Sequence, residues 1–142
     1  MTDNHAFANK VALITGGTRG IGRATALRLA NEGAALAVNY VSNRKQADAT
    51  LDELRQLGGR AIAVQGDVSK PGDVQRLVDQ TRSELGPIDL LVHSAAVSIV
   101  EPATNVTWES WKRTMEVNLD GTFHVVYSVK DEMIQREYGR IV

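Results

Sequence analysis

Val11-Ala-Leu-Ile-Thr-Gly-Gly-Thr-Arg-Gly-Ile-Gly22 is the stretch on which the reading of this 142-residue chain turns. Val11 to Ile14 is an unbroken apolar run, the pattern of a parallel strand buried on both faces. Gly16, Gly20 and Gly22 then punctuate a tight turn, and Arg23 to Asn31 is good helix-forming sequence. A strand that feeds such a turn and a helix directs free backbone N–H groups and a positive helix end at one point. That point suits a phosphate, to which the helix terminus contributes ~0.3–1 kcal/mol, or up to ~2 when partly buried. Glycines also relieve crowding at ordinary strand-turn-helix corners. The G-x3-G-x-G spacing inside Thr15-Gly-Gly-Thr-Arg-Gly-Ile-Gly22 is much more specific than a lone glycine pattern.

Composition narrows the classes. A chain of this length makes one domain at most, or part of a larger one. Hydrophobic residues at 43% and charged residues at 23% are ordinary for a globular protein. A formal net charge of −1 provides no basic field for nucleic acid and no polybasic run for an anionic membrane surface. The absence of cysteine excludes disulfides, thiolate metal sites and cysteine nucleophiles, and no metal site is expected. Residues 1–10 are polar, lack an apolar signal segment and read as a flexible leader. No apolar run approaches the roughly 20 residues of a membrane span. A soluble, cytoplasmic protein is expected.

The elements alternate. After the first strand, Gly20 to Glu32 reads as a helix rich in small residues, with Gly33 as its C′ residue. Ala35 to Tyr40 is a second strand, and Asn43 to Leu57 a second helix with Ala47, Leu51 and Leu54 on one face. Arg60 to Gln65 is a third strand. Ser69 is expected to cap a helix whose apolar face is Val74, Leu77, Val78, Thr81 and Leu85. Ile88 to His93 is a fourth strand, and Ser94 to Val106 a loop. Thr107 to about Glu137 is expected as one long helix with a stripe of Trp108, Trp111, Met115, Leu119, Thr122, Val126, Val129 and Met133. In this reading the two tryptophans are core anchors. An amide followed closely by a glycine at Asn118-Leu-Asp-Gly121 is poor helix sequence, so a kink is plausible there. Arg140-Ile-Val142 looks like the opening of a fifth strand.

This order implies βαβ crossovers and a doubly wound parallel α/β sheet, with four strands plus the start of a fifth. In such sheets a ligand sits beyond the C-terminal ends of the strands, at the switch point beside the first strand. Thr15–Gly22, Asn39-Tyr40, Asp67-Val68 and Ser94–Ala96 all fall at such ends. Gly16 to Gly22 would take a pyrophosphate, Gly16 making the turn, Gly20 admitting the backbone closely and Gly22 letting the helix pack on the strand. His93, a single histidine closing a buried strand, is read as a satisfied structural residue.

The octapeptide Thr15–Gly22 resembles the cofactor-binding signature of the short-chain dehydrogenase/reductase family, and later segments match that family in the same order from about Asn9 to Val142. The resemblance implies a Rossmann-like fold and an NAD(P)-dependent oxidoreductase. A hydride would pass between nicotinamide and a small-molecule carbonyl or alcohol. Within the family the pattern is similar to 3-oxoacyl-acyl-carrier-protein reductases. It places Thr18, Arg19 and Ile21 at the cofactor with the three glycines. Asn39 stands where NAD-preferring relatives carry an acid for the ribose hydroxyls. A carboxylate ~4 Å from a 2′-phosphate would cost on the order of 4 kcal/mol at a surface-like dielectric. With Arg19 and Arg44 at hand and Tyr40 alongside, NADP(H) is preferred and NAD(H) is the alternative.

By the same resemblance, Asp67 accepts from the adenine amino group and Val68 packs on the ring; capping of the next helix is the competing role for Asp67. His93-Ser94-Ala95-Ala96 replaces the family's Asn-Asn-Ala-Gly, keeping small residues at Ser94, Ala95 and Ala96 where a ribose would pass. Asn118 matches the Asn-Leu-x-Gly motif, whose Asn orders a water in a proton relay. The family's Tyr-x-x-x-Lys does not occur in these residues: Tyr40, Tyr127 and Tyr138 are followed at i+4 by Arg44, Asp131 and Val142. The chain is therefore expected to be the N-terminal, cofactor-binding part of a longer enzyme that assembles as a homo-tetramer. The alternatives are a non-catalytic dinucleotide-binding module or inactive truncation product, and an enoyl reductase of the same family.

Overall fold

A computed structural model describes residues 6–142. β1 (Val11–Thr15), β2 (Ala35–Tyr40), β3 (Ala61–Gln65), β4 (Leu90–His93) and β5 (Arg140–Ile141) form one parallel sheet in the order β3-β2-β1-β4-β5. The chain builds outward from β1 to β3, then returns to the other side of β1. That return makes β1 the switch point the alternating sequence implies. β5 pairs with Leu90 and Leu91, so the apolar edge of β4 is covered.

Every residue of β1 is buried, because helices cover both faces. Ala12 and Ile14 pack with Ala26, Leu29 and Ala30 of α1 (Gly20–Asn31) and Leu54 of α2 (Arg44–Gln56). Leu13 packs on the opposite side with Leu77 and Val78 of α3 (Pro71–Leu85) and Val125 and Val129 of α5 (Gly121–Gln135). The small residues of α1 let it lie close to the sheet. It ends where Gly33 N–H reaches Ala30 O at 2.9 Å and Ala34 N–H reaches Leu29 O at 3.0 Å, the paired bonds of a Schellman stop. Asn43 caps α2 by accepting from Gln46 N–H at 3.0 Å.

Three expectations need correction. Ser69 does not cap α3: the N-cap is Lys70, with Pro71 as the first helical residue. Proline has no N–H to satisfy there, and the Ser69 hydroxyl is drawn back to Asp67 at 2.7 Å. The long helix is also three pieces: α4 (Trp108–Met115), a π-helical turn (Glu116–Asp120) and α5. An i→i+5 turn carries one extra residue and rotates the following face by about 100°. The buried series is consequently Val117, Gly121, Val125, Val129 and Met133. Trp108 and Trp111 are 70% and 53% exposed and anchor no core.

The leader expected over residues 1–10 lies partly outside the described residues. Phe7 packs against the α1–α2 side of the core, and Ala35 N–H bonds Lys10 O at 2.8 Å.

Asp89, buried just before β4, ties the base of the sheet together. Its Oδ2 accepts from Val11 N–H at 3.0 Å, and its Oδ1 accepts from Arg136 Nη1 at 2.9 Å. Arg136 also donates to Ile88 O at 2.7 Å. Asp89→Ala would leave a buried N–H and a guanidinium without their acceptor, at a cost on the order of 2–4 kcal/mol. Asp89→Asn, which keeps an acceptor for Val11, is expected to cost less. Urea unfolding of the two variants checks this order.

Candidate functional site

The C-terminal ends of β1 to β4 open into a cleft of about 560 Å³. Gly16, Thr18, Arg19, Gly20 and Ile21 line one side; Asp67, Val68, Ser94, Ala95 and Ala96 line it too, with Asn39 and Tyr40 at the end of β2. All four strand ends singled out in the sequence therefore meet at one place.

The floor is the glycine turn. Gly16 has φ +61°, a left-handed conformation that costs glycine little. A Cβ on Gly22 would sit 2.4 Å from Gly16 O, so only glycine lets α1 start this close to the turn. No side chain caps α1 and no acidic residue lies in its first turn. Its leading N–H groups and the positive end of its dipole are thus left for an anion.

Asn39 is 1% exposed and turned inward. Its Nδ2 donates to Gly66 O at 2.9 Å and Val64 O at 3.3 Å, and its Oδ1 lies 3.4 Å from Gly16 N–H. It braces the glycine turn against β3. Of the two basic candidates, Arg19 lines the cleft, whereas Arg44 does not; it pairs with Asp48 at 2.8 Å and is 75% exposed along its side chain.

Thr15 organises the end of β4. Its Oγ1 accepts from Ser94 N–H and Ala95 N–H, each at 3.2 Å, and lies 2.8 Å from His93 Nδ1. With both lone pairs used, the hydroxyl donates to Nδ1, which leaves the proton of the neutral ring on Nε2. His93 is only half-satisfied, since Nε2 is buried without a partner among the described residues.

Asn118 lies within the π turn and grips the loop after β4. Its Oδ1 accepts from Val97 N–H, and its Nδ2 donates to Val97 O, both at 2.9 Å. Its backbone carbonyl accepts from the Thr122 hydroxyl at 2.7 Å. Val97 and Val117 line the cleft, so Asn118 shapes that wall from behind.

Asp67 is the carboxylate of the site. Its Oδ1 accepts from Ser69 N–H at 3.0 Å and the Ser69 hydroxyl at 2.7 Å, and its Oδ2 accepts from Arg113 Nη2 at 2.8 Å. Burial disfavours the carboxylate, but the Ser69 hydroxyl and amide and the Arg113 guanidinium outweigh it and hold the pKa below the usual range. Arg113, from α4, also lines the cleft, and the sequence reading misses it. Its only sequence signal is one cation of the Lys112-Arg113 pair, five residues before Asn118. Ser42, Asn43 and Gln46 complete the rim beyond β2. Among the described residues no cluster of side chains could hold a metal ion.

Burial lowers the His93 pKa below 6.5. The folded chain therefore favours the neutral ring. That contribution is fully present above about pH 6.5 and is lost as pH falls through 6.5 towards the folded value. Thermal melts at pH 7.5 and 5.5 should show a smaller acid loss for His93→Asn than for the unmodified chain.

Comparison with known proteins matches the family described as short chain dehydrogenase to residues 10–142. The 3-oxoacyl-acyl-carrier-protein reductase FabG of Staphylococcus epidermidis is 34% identical over 134 residues, covering 94% of this chain and 55% of the relative. The NAD+-bound structure of a xylitol dehydrogenase superposes with a TM-score of 0.89 at 35% identity, covering 95% of this chain and 52% of that one. A blue fluorescent protein from a metagenomic library, solved with NADPH, superposes at 0.82 with 38% identity, covering 88% and 51%. The chain spans about half the length of the curated relatives it matches. With matching motifs, fold and strand-end cleft, the chain belongs to the short-chain dehydrogenase family.

Proposed function

We propose that this chain forms the dinucleotide-binding part of an oxidoreductase that moves a hydride between NADP(H) and a carbonyl or alcohol carbon. The observation that carries the reading is the uncapped start of α1, free of acidic residues and opening into the cleft. Nothing in that cradle competes with a bridging pyrophosphate. The absence of a Cβ at Gly22 leaves the backbone close enough to receive one. A cleft of about 560 Å³ is within the ordinary range for a cofactor site. When bound, the nicotinamide would supply the hydride.

The chain's own residues would bind and orient. The N–H groups of Gly20 to Gly22 would hold the phosphates, Asp67 the adenine amino group and Val68 the ring face. Ser94 to Ala96 would leave room for a ribose. Asn118 would hold the Val97 loop and position a water for proton exchange. Arg19 is the cation on the cleft wall and would meet a 2′-phosphate, which favours NADP(H) over NAD(H). By likeness to the 3-oxoacyl-acyl-carrier-protein reductases, the substrate would be a 3-oxoacyl thioester reduced to the alcohol. The stacked, exposed pair Phe123 and Tyr127 on α5, with ring centroids 4.1 Å apart, supports self-association of the complete protein into a tetramer. No helix among the described residues is long and apolar enough to cross a membrane.

Titration of nicotinamide fluorescence tests the reading. NADPH should bind more tightly than NADH, and Arg19→Met should weaken NADPH by about 5- to 10-fold, or ~1–1.4 kcal/mol, while leaving NADH nearly unchanged. Equal loss for both dinucleotides would remove the 2′-phosphate role. Failure of the unmodified protein to bind either would remove the reading itself.

A further inference from the structure

Asp67 has more partners than a cap requires. A carboxylate offers about four lone-pair positions. The Ser69 amide and hydroxyl take two on Oδ1, and Arg113 Nη2 takes one on Oδ2. One position remains, on Oδ2, at a residue that lines the cleft. Arg113 also donates through Nη1 to Ser69 Oγ at 2.9 Å. The guanidinium therefore holds both the carboxylate and the hydroxyl that orients it, in a closed three-residue ring.

The arginine comes from a different part of the fold from its partners. Asp67 and Ser69 follow β3, whereas Arg113 stands on α4. α4 runs directly into the π turn, where Asn118 grips Val97 after β4. One helical segment thus braces the two loops that flank the cleft.

We infer that Arg113 is a positioning residue for adenine recognition: it fixes Asp67 so that a single acceptor, the remaining Oδ2 lone pair, faces the exocyclic amino group of the adenine ring. This rests on the dinucleotide reading above. The pair does more than balance charge. Without Arg113, Ser69 still holds Oδ1, but Oδ2 loses the donor that directs its remaining lone pair at the cleft. Its ordinary tendency on burial, toward the neutral form, is also no longer opposed by the guanidinium. Arg113 touches no reacting atom, so its effect should be confined to the adenine end.

The test uses NADP+ and its hypoxanthine counterpart, which carries a carbonyl oxygen in place of the exocyclic amino group and a proton on the neighbouring ring nitrogen N1. Binding of each to the protein is measured by calorimetry at pH 7.5. The unmodified protein should favour the adenine form by about 10-fold, the worth of one hydrogen bond to a charged acceptor. Arg113→Met should weaken NADP+ and reduce that preference to within about twofold. Arg113→Lys, which keeps the charge but not the fork that spans Asp67 and Ser69, should restore part of it. In an Asp67→Asn background, Arg113→Met should change the preference no further. Equal weakening of both ligands by Arg113→Met, with the preference intact, would make the arginine a general support of the fold and overturn the inference. Unchanged binding of both would overturn it as well. If the unmodified protein binds neither ligand, the dinucleotide reading fails and the inference falls with it.

Discussion

β4 holds the central strand at both ends, and the position of the cleft follows from that. At the entry, Asp89 accepts the amide of Val11, the first residue of β1. At the exit, Thr15 accepts the amides of Ser94 and Ala95 and donates to His93. β1 therefore cannot slide against β4, and its chain turns at Gly16 just where β4 gives way to loop. A Cβ on Gly16 would lie 3.0 Å from Ala95 N and Ser94 O, so the turn and the loop meet in van der Waals contact. The cleft begins above that contact, and α1 starts beside it.

The electrostatics of the cleft follow from which charges are already matched. Asp67 is neutralised by Arg113, and Arg44 by Asp48. Among the described residues, what remains unmatched is positive: the leading N–H groups of α1 and the Arg19 guanidinium on the cleft wall. Asn39 contributes through its neutrality in a way the strand-end argument does not capture. Its amide nitrogen faces the carbonyls of Val64 and Gly66, so a carboxylate there would set acceptor against acceptor in a buried position. An asparagine at 39 is a requirement of the β2–β3 junction before it is any statement about a ribose.

The parts of the fold written as local pattern were legible. Val11 to Ile14 announced a strand buried on both faces, and Gly33 marked a helix end because a left-handed residue is needed there. The gathering of four strand ends at one cleft followed from parallel topology alone. Two features were not legible, each for a physical reason. The buried face of the α4–α5 segment depends on one extra residue in a π turn, and periodicity read at 3.6 residues per turn drifts out of phase across it. Trp108 and Trp111 looked like core residues only while that phase was assumed. Arg113 was invisible because its partners are forty-odd positions away in sequence and nothing local distinguishes it from a solvated cation.

The π turn also explains why one segment serves two loops. In a regular helix, residues five apart point about 140° away from each other. Arg113 reaching Asp67 would then turn Asn118 away from the cleft. Winding part of the segment i→i+5 narrows that angle, and Asn118 meets Val97 while Arg113 keeps Asp67. The same winding rotates α5 so that Val125, Val129 and Met133 pack against the sheet and α3. A regular helix with the same composition would satisfy either the cleft or the core. The irregular turn, with its amide and glycine in poor helix sequence, lets the chain meet both demands.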